Sequence, residues 1–354
     1  MRTILITSTK RLAGKSTVGL GLCMWARKKG EKVGYFKPLG DRVVRKDERM
    51  YDHDAHLFKE VLGLSESEEK MSIAHDYKGL LRDTSEHPKD YVGELRKRFE
   101  ELSGGKDLMV VEGAHSLACG AYLGLSAPEI VKHVGGMVLV VATGSSEEVV
   151  DRVAMAKAYL NHVGAPMLGV VVNKATEQQI SRENTMLVKL FGDIGVEFFG
   201  FLPERKSLSR ITPRDIVEVL EAEILAGDKG LDTLLERVVV GAMGFEAAMK
   251  RLRTIPGNAI ITGGDRTDLQ LGALETSSRC LILTGGIFPA PTVLREAEQR
   301  GVPVLLVPYD TFSAAERIEK ITPRIRPEET SKIEEIERLV LEFVELDRLW
   351  GVSS

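Results

Sequence analysis

Ile4-Leu5-Ile6-Thr7-Ser8-Thr9-Lys10-Arg11-Leu12-Ala13-Gly14-Lys15-Ser16-Thr17 runs an apolar strand into a loop that closes on Gly-Lys-Ser, and the helical pattern Val18, Leu20, Leu22, Met24, Trp25 follows. That order suits a phosphate. Backbone N–H groups of the loop and first helical turn point at the anion, Lys15 reaches the outer phosphates, and the Ser16 hydroxyl is a magnesium ligand. The stretch predicts a cradle for a nucleoside triphosphate, with Thr9, Lys10, Gly14, Lys15, Ser16 and Thr17 as the nucleotide-binding set. The pattern G-x-x-x-x-G-K-[ST] asks for glycine where Thr9 stands. A glycine-containing turn with an exposed lysine is the plainer alternative.

Outward from this stretch, short runs rich in Val, Ile and Leu alternate with longer helical patterns: Thr3–Thr7, Val33–Lys37, Leu108–Glu112, Met137–Ala142, Leu168–Asn173 and Phe198–Leu202. Near-continuous apolar runs separated by helices mark strands buried on both faces of a parallel sheet. Residues 1–212 therefore read as a doubly wound α/β domain, in which ligands sit beyond the carboxyl ends of the strands. The residues at those ends become the candidates. Lys37 either meets a phosphoryl group or is a solvated lysine closed off by Pro38. Asp54 either binds metal or caps the helix that opens there. Glu112, followed by Gly113, has the form of a carboxylate that holds magnesium opposite a phosphate loop. Asn173 can pair with an adenine edge, and Phe201-Leu202-Pro203 offers apolar surface to a base. The charge-dense stretch 41–50 reads as a mobile surface loop.

Composition shifts after about residue 212. Pro213 starts a helix expected to reach Ala226, and two similar phrases follow, Ile260-Ile261-Thr262-Gly263-Gly264 and Ile282-Leu283-Thr284-Gly285-Gly286. With Val304–Val307 they predict a second, smaller parallel sheet over 213–325 with its polar residues at one edge. A ligand there would meet Gly263, Gly264, Asp265, Arg266, Asp268, Thr284, Gly285, Gly286, Asp310 and Thr311. The glycines serve equally well as positive-φ or close-approach positions, and the aspartates as caps. The amphipathic stretch within 326–354 reads as a helix that packs on this second unit or on a second subunit.

The 354 residues are 43% hydrophobic and 28% charged, ordinary for a soluble globular protein of two domains. A net charge of −4 offers no field to hold a polyanion, so nucleic acid is not the expected partner. Cys23, Cys119 and Cys280 form no C-x-x-C, which fits a reducing compartment without structural zinc. No run approaches the length of a membrane helix, and the opening residues are too short an apolar run for a signal peptide. A cytoplasmic protein without membrane attachment is expected. Asn and Gln are scarce beside Lys, Arg and Glu, the pattern of a thermophilic source.

Gly14-Lys15-Ser16, Gly34-Tyr35-Phe36-Lys37-Pro38, His53-Asp54-Ala55, Val111-Glu112-Gly113-Ala114, Val172-Asn173 and Gly200-Phe201-Leu202-Pro203 occur in the order and approximate spacing of dethiobiotin synthetase, which the first 205 or so residues resemble. The resemblance implies ATP and Mg2+ as cofactors. It implies Lys15 on phosphates, Ser16, Asp54 and Glu112 around magnesium, Lys37 beside a transferring phosphoryl group, and Asn173 on adenine. Residues from Pro213 to about Ile325 look like a DRTGG domain, with Gly264-Asp265-Arg266-Thr267-Asp268 at the motif. The two in this order look like the amino-terminal half of long-form phosphate acetyltransferases, where they are regarded as regulatory. The 354 residues hold no segment resembling the acetyltransferase domain, so no acetyl transfer is assigned to them.

Two departures stand out. His115-Ser116 replace glycines that let substrate approach the backbone in the synthetases, which argues against dethiobiotin synthesis itself. Lys10 falls at the early lysine of the K-x-x-x-G-K-[ST] motif of partition and septum-placement ATPases, but Arg11 and Leu12 stand in place of glycines. The leading expectation is an ATP- and magnesium-binding regulatory module that answers to a small ligand and to a partner enzyme of acyl-phosphate metabolism, as a homo-oligomer. The alternatives are an ATP-dependent ligase with Lys15 and Lys37 as its catalytic residues, phosphorylating a small carboxylate or carbamate, and a dimeric switch ATPase using Lys10.

Overall fold

The computed structural model describes residues 1–46, 49–77, 80–86, 89–254, 256–321, 323 and 325–351. Two compact units emerge, one formed by Met1–Glu204 together with Arg326–Ser354, the other by Arg205–Ile325. The second unit is thus inserted into the sequence of the first between Glu204 and Arg326.

The first unit is a six-stranded sheet built from β1 (Arg2–Ser8), β2 (Val33–Phe36), β5 (Leu108–Glu112), β6 (Met137–Ala142), β7 (Met167–Ala175) and β8 (Phe198–Pro203). Its order is β2-β5-β1-β6-β7-β8, and every pairing is parallel. Each strand matches an apolar run of the sequence, because burial on both faces leaves only apolar side chains in the middle of the sheet. The central position of β1 aims the loop after it, and helix α1 (Lys15–Lys28), at the carboxyl edge of the sheet.

The stretch expected as a mobile loop is instead an antiparallel pair, β3 (Val43–Lys46) with β4 (Arg49–Asp52). The residues between them lie outside the described set. The reason is local: Tyr51 and Asp52 are buried at the entry to helix α2 (His53–Leu62), and they anchor β4 to that helix.

The last helices are a second correction. Thr330–Phe343 and Leu346–Gly351 pack on the first unit, mainly against α1. Gly21 of α1 permits the contact, since a Cβ there would collide with Val340. Trp350 meets Trp25 edge-on at 5.5 Å between ring centroids, and the Arg2 guanidinium lies 4.5 Å over the Trp350 ring and donates to its carbonyl. The amphipathic face of this segment serves α1, a partner more than 300 residues away in sequence.

The second unit is a five-stranded sheet of β9 (Glu223–Ala226), β10 (Arg237–Val240), β11 (Asn258–Gly263), β12 (Cys280–Thr284) and β13 (Val304–Leu306) in the order β10-β11-β12-β13-β9. Four strands are parallel and β9 is antiparallel. The helix from Pro213 stops at Leu220, not Ala226. Glu221 turns it with φ +51°, and residues 223–226 then pair with β13. Apolar clusters cover both faces, one around Ile260, Leu269 and Leu283, the other around Ala259, Ile261 and Ile282.

Candidate functional site

The loop between β1 and α1 is held by its carbonyls. Ser8 Oγ lies 2.9 Å from the Lys10 carbonyl, Arg152 donates to that of Thr9 (3.2 Å), and Asn173 Nδ2 to that of Ala13 (2.8 Å). With the carbonyls drawn outward, the backbone N–H groups of residues 10–17 make no hydrogen bond to the described residues. Thr9 N–H, by contrast, is bound to Val141 (3.1 Å), so Thr9 belongs to the sheet side of the loop. Successive unpaired N–H groups that run into a helix N-terminus form an anion-binding concavity. Two features fix its shape. Gly14 has φ +92°, and a side chain there would collide with Asn173 Nδ2; Leu12, a non-glycine residue, is held at φ +63°. The Thr7 and Thr9 hydroxyls are buried beside it without hydrogen-bond partners among the described residues.

Lys15 opens α1 with its ammonium 3.5 Å from Ser8 Oγ, and Ser16 Oγ donates to Glu112 Oε1 at 3.1 Å. Thr17 follows on the first turn, its hydroxyl near Gly14. Glu112, at the end of β5, also accepts from the Tyr35 hydroxyl at 3.0 Å. Lys37 is buried rather than solvated. Its ammonium contacts Asp54 and lies 3.5 Å from Asp52 and 3.7 Å from Glu112. The α2 cap is Asp52, which accepts from the Asp54 and Ala55 N–H groups, so the Asp54 side chain is available to the cluster. Asp52 is the residue that spacing missed. A carboxylate two residues ahead of the expected cap is its only sequence signal.

Three carboxylates (Asp52, Asp54, Glu112) and two ammoniums (Lys15, Lys37) leave the cluster with a formal charge of −1. Burial pushes the Glu112 carboxyl up, partly offset by Lys37. Burial alone would lower the Lys37 ammonium, but Asp52, Asp54 and Glu112 together overcome it and raise it. Lys15 is lowered, chiefly because its surroundings exclude water, against the pull of Glu112. The Ser16, Asp54 and Glu112 oxygens are hard donors of the kind magnesium takes.

Lys10 points elsewhere. Its ammonium pairs with Glu148 of the helix Ser146–Val163, at 3.2 Å, and Arg152 joins the same carboxylate at 2.8 Å. Asn173 is buried; beyond its bond to Ala13, its oxygen accepts from Lys174 N–H at 2.8 Å. One donor hydrogen and one lone pair of its amide remain for another partner. Pro203 ends β8 in register with Ala175 of β7.

In the second unit the two Thr-Gly-Gly turns do different work. Gly264 allows close approach, since a Cβ there would strike the Ile287 carbonyl. Gly285 and Gly286 adopt φ +80° and +64° and donate to the carbonyls of Tyr309 (2.8 Å) and Val307 (3.0 Å). The hydroxyls of Thr284 and Thr311 meet at 3.0 Å. Arg266 reaches Asp268 (3.5 Å) and the Met243 carbonyl (3.4 Å), while the Asp265 carboxylate folds back beside Gly263. Asp310 caps the helix Thr311–Glu319, and a hydrogen bond from Ser313 holds its carboxyl below the usual range. Gln270 was not foreseen. Fully buried, it donates to the carbonyls of Gly263 (2.9 Å) and Gly264 (3.0 Å) and so fixes the first turn. Ile287 and Phe288 on the loop after β12, and Phe312 on the first turn of the helix Thr311–Glu319, are exposed at this edge.

A phosphate-loop α/β domain followed by a DRTGG domain is the class this architecture defines. Residues 2–212 match the family model described as AAA domain, and residues 215–321 match that of the DRTGG domain. The chain belongs to this AAA-domain family and carries a DRTGG domain behind it. It is related to the amino-terminal region of long-form phosphate acetyltransferases. The phosphate acetyltransferase of Nitratidesulfovibrio vulgaris is 27% identical over 352 residues, covering 93% of this chain and 48% of that protein. The phosphate acetyltransferase of Synechocystis is 24% identical with the same coverages. The chain thus spans about half the length of these curated relatives. Among solved structures, it is similar to the CBS and DRTGG domains of the regulatory region of Clostridium perfringens pyrophosphatase, complexed with diadenosine tetraphosphate (28% identity, 33% of this chain, 49% of that chain, TM-score 0.29). It is also similar to the septum site-determining protein MinD of Pyrococcus horikoshii complexed with Mg-ADP (18% identity, 58% and 83%, TM-score 0.40). Among the described residues no helix is long and apolar enough to cross a membrane.

Proposed function

We propose that the first unit binds ATP with magnesium, that the second unit binds a small ligand at its carboxyl edge, and that the pair serves a regulatory role in acyl-phosphate metabolism. The observation that carries the reading is the run of unpaired N–H groups over residues 10–17, ending at Lys15 and Ser16. Its geometry suits the phosphates of a nucleotide. Ser16, Asp54 and Glu112 would hold the metal, whose charge neutralises phosphate oxygens when bound. Lys15 and Lys37 would add positive charge beside it, and the remaining donor and acceptor capacity of Asn173 would face adenine. Pro203 would flank the base.

The regulatory role is supported by the relatedness to phosphate acetyltransferases, of which the chain spans about half. In the second unit, Arg266, the Thr284–Thr311 hydroxyl pair and the exposed Phe288 and Phe312 offer polar and apolar contacts to one ligand. A homo-oligomer in the cytoplasm of a thermophile completes the proposal, the last on the scarcity of amides.

The ligase reading keeps one specific support, the placement of Lys37 within the carboxylate cluster beside the phosphate loop. Against it, His115 stands on the side where an acceptor would approach, 2.9 Å from Asp41. Calorimetry of Mg-ATP on the full chain and on Lys15→Ala tests the central claim. Loss of binding in the variant is expected, and unchanged affinity would reject the site.

A further inference from the structure

Two residues that stand in place of family glycines, Arg11 in the phosphate loop and His115 after β5, converge on one atom. Asp41 Oδ1 lies 3.4 Å from Arg11 Nη2 and 2.9 Å from His115 Nδ1. The Asp41 N–H donates to Asp52 Oδ2 at 2.9 Å, which ties it to the carboxylate cluster, and its charge raises the Lys15 ammonium against the effect of burial. Asp41 therefore stands among Arg11, His115 and Lys15, where a phosphate oxygen would be equally well received.

The Arg11 link is the weak one. The side chain is half exposed, and a single nitrogen makes one long contact. Such a pair is worth little in water. A phosphoryl group offers the guanidinium a shorter, two-pronged, charge-assisted arrangement. When Arg11 leaves, the Asp41 N–H bond to Asp52 still holds that residue in place.

We propose that Arg11 is a second phosphate-binding residue of the loop, exchanging Asp41 for the terminal phosphoryl group of a nucleoside triphosphate, so that the Arg11–Asp41 pair sets the preference for triphosphate over diphosphate. The proposal rests on the nucleotide reading above and deepens it by assigning the residue that counts phosphates. Asp41 acts through Arg11 and is a positioning residue.

Calorimetry on the full chain, with magnesium and either ADP or a non-hydrolysable ATP analogue, tests it. Arg11→Ala is expected to weaken the triphosphate about tenfold while diphosphate affinity stays within about twofold. Asp41→Asn is expected to move the ratio the other way, by removing the competing anion. An equal loss for both nucleotides, or no loss for either, in an Arg11→Ala protein with the parent's thermal midpoint would overturn the assignment and leave the phosphate site standing. If the parent chain binds neither nucleotide, the site and the Arg11 assignment fall together.

Discussion

Asn173 Nδ2 donates a 2.8 Å hydrogen bond to the carbonyl of Ala13, so the strand-end amide, read from sequence as an adenine contact, is a brace for the phosphate loop. The bond sits between two strained positions, Leu12 at φ +63° and Lys174 at φ +54°. Left-handed backbone at a non-glycine residue costs about 1–2 kcal/mol and persists only where its surroundings enforce it.

Asn173→Leu removes the donor to Ala13, and with it the acceptor for Lys174 N–H, without adding charge beside the phosphate site. Freed of that brace, the loop should lose the arrangement that turns its N–H groups inward. Mg-ATP affinity should fall by about tenfold, in line with the ~1 kcal/mol of one hydrogen bond plus a share of loop ordering. Binding of inorganic pyrophosphate, which has no adenine, separates the two roles of this side chain. A brace predicts loss for both ligands, an adenine contact for ATP alone.

Lys37 lies among three buried carboxylates, and Lys37→Met removes the charge while keeping the stem. Breaking a buried ion cluster on one side costs about 3–5 kcal/mol, to be read by urea denaturation at pH 7. The pH dependence has a definite sign. Glu112 is already raised above its ordinary value by burial, and loss of Lys37 raises it further. A carboxyl with a raised folded pKa contributes stability that is complete below its unfolded value and is lost as pH rises toward the folded one. The variant should therefore lose more stability than the parent as pH rises from about 4 to 7. Identical slopes for the two proteins would show that Glu112 does not depend on Lys37.

The three cysteines give a quick check of the fold. Cys23 and Cys280 are buried among apolar side chains, and burial pushes both thiols far above their ordinary value. Cys119 is partly accessible; burial raises it, against a hydrogen bond with Tyr77. An aromatic disulfide reagent should label one thiol in the native protein, slowly, and three after denaturation. Because the Lys15 and Asp41 charges act on Cys119, bound Mg-ATP should change its labelling rate.

How much of this was legible depends on what each residue's partners are. β1, β5 and β6 could be read almost to the residue, because a strand buried on both faces must be apolar throughout and its polar ends are conspicuous. Lys37 and Glu112 stand at such ends, Lys15, Ser16 and Asp54 lie in the first turns of α1 and α2, and the fold gathers them. The β3–β4 pair was illegible because its charged residues mask a pattern in which Tyr51 and Asp52 are the buried members among the described side chains. Gln270 carries no local signal, since its task is to hold two carbonyls of a turn six and seven residues upstream. The carboxy-terminal helix was legible as amphipathic, but amphipathicity does not say which surface it covers.

That surface can be tested at Gly21. The helix Thr330–Phe343 lies so close to α1 that a Cβ at residue 21 would meet all three carbons of the Val340 side chain beyond Cα. Gly21→Ala also adds the better helix former, and in an exposed helix it would stabilise by up to about 1 kcal/mol. Here two effects oppose each other. The collision forces either a helix shift or an off-rotamer valine, at about 1–3 kcal/mol, so the substitution should destabilise on balance, by roughly 1–2 kcal/mol in urea. Gly21→Ala combined with Val340→Ala should recover most of the loss, since the smaller partner makes room for the methyl while the helix propensity gain remains. Trp25 and Trp350 sit within this contact, so tryptophan fluorescence reports its loosening directly. A Gly21→Ala protein more stable than its parent, with fluorescence unchanged, would mean that the last helices do not rest on α1.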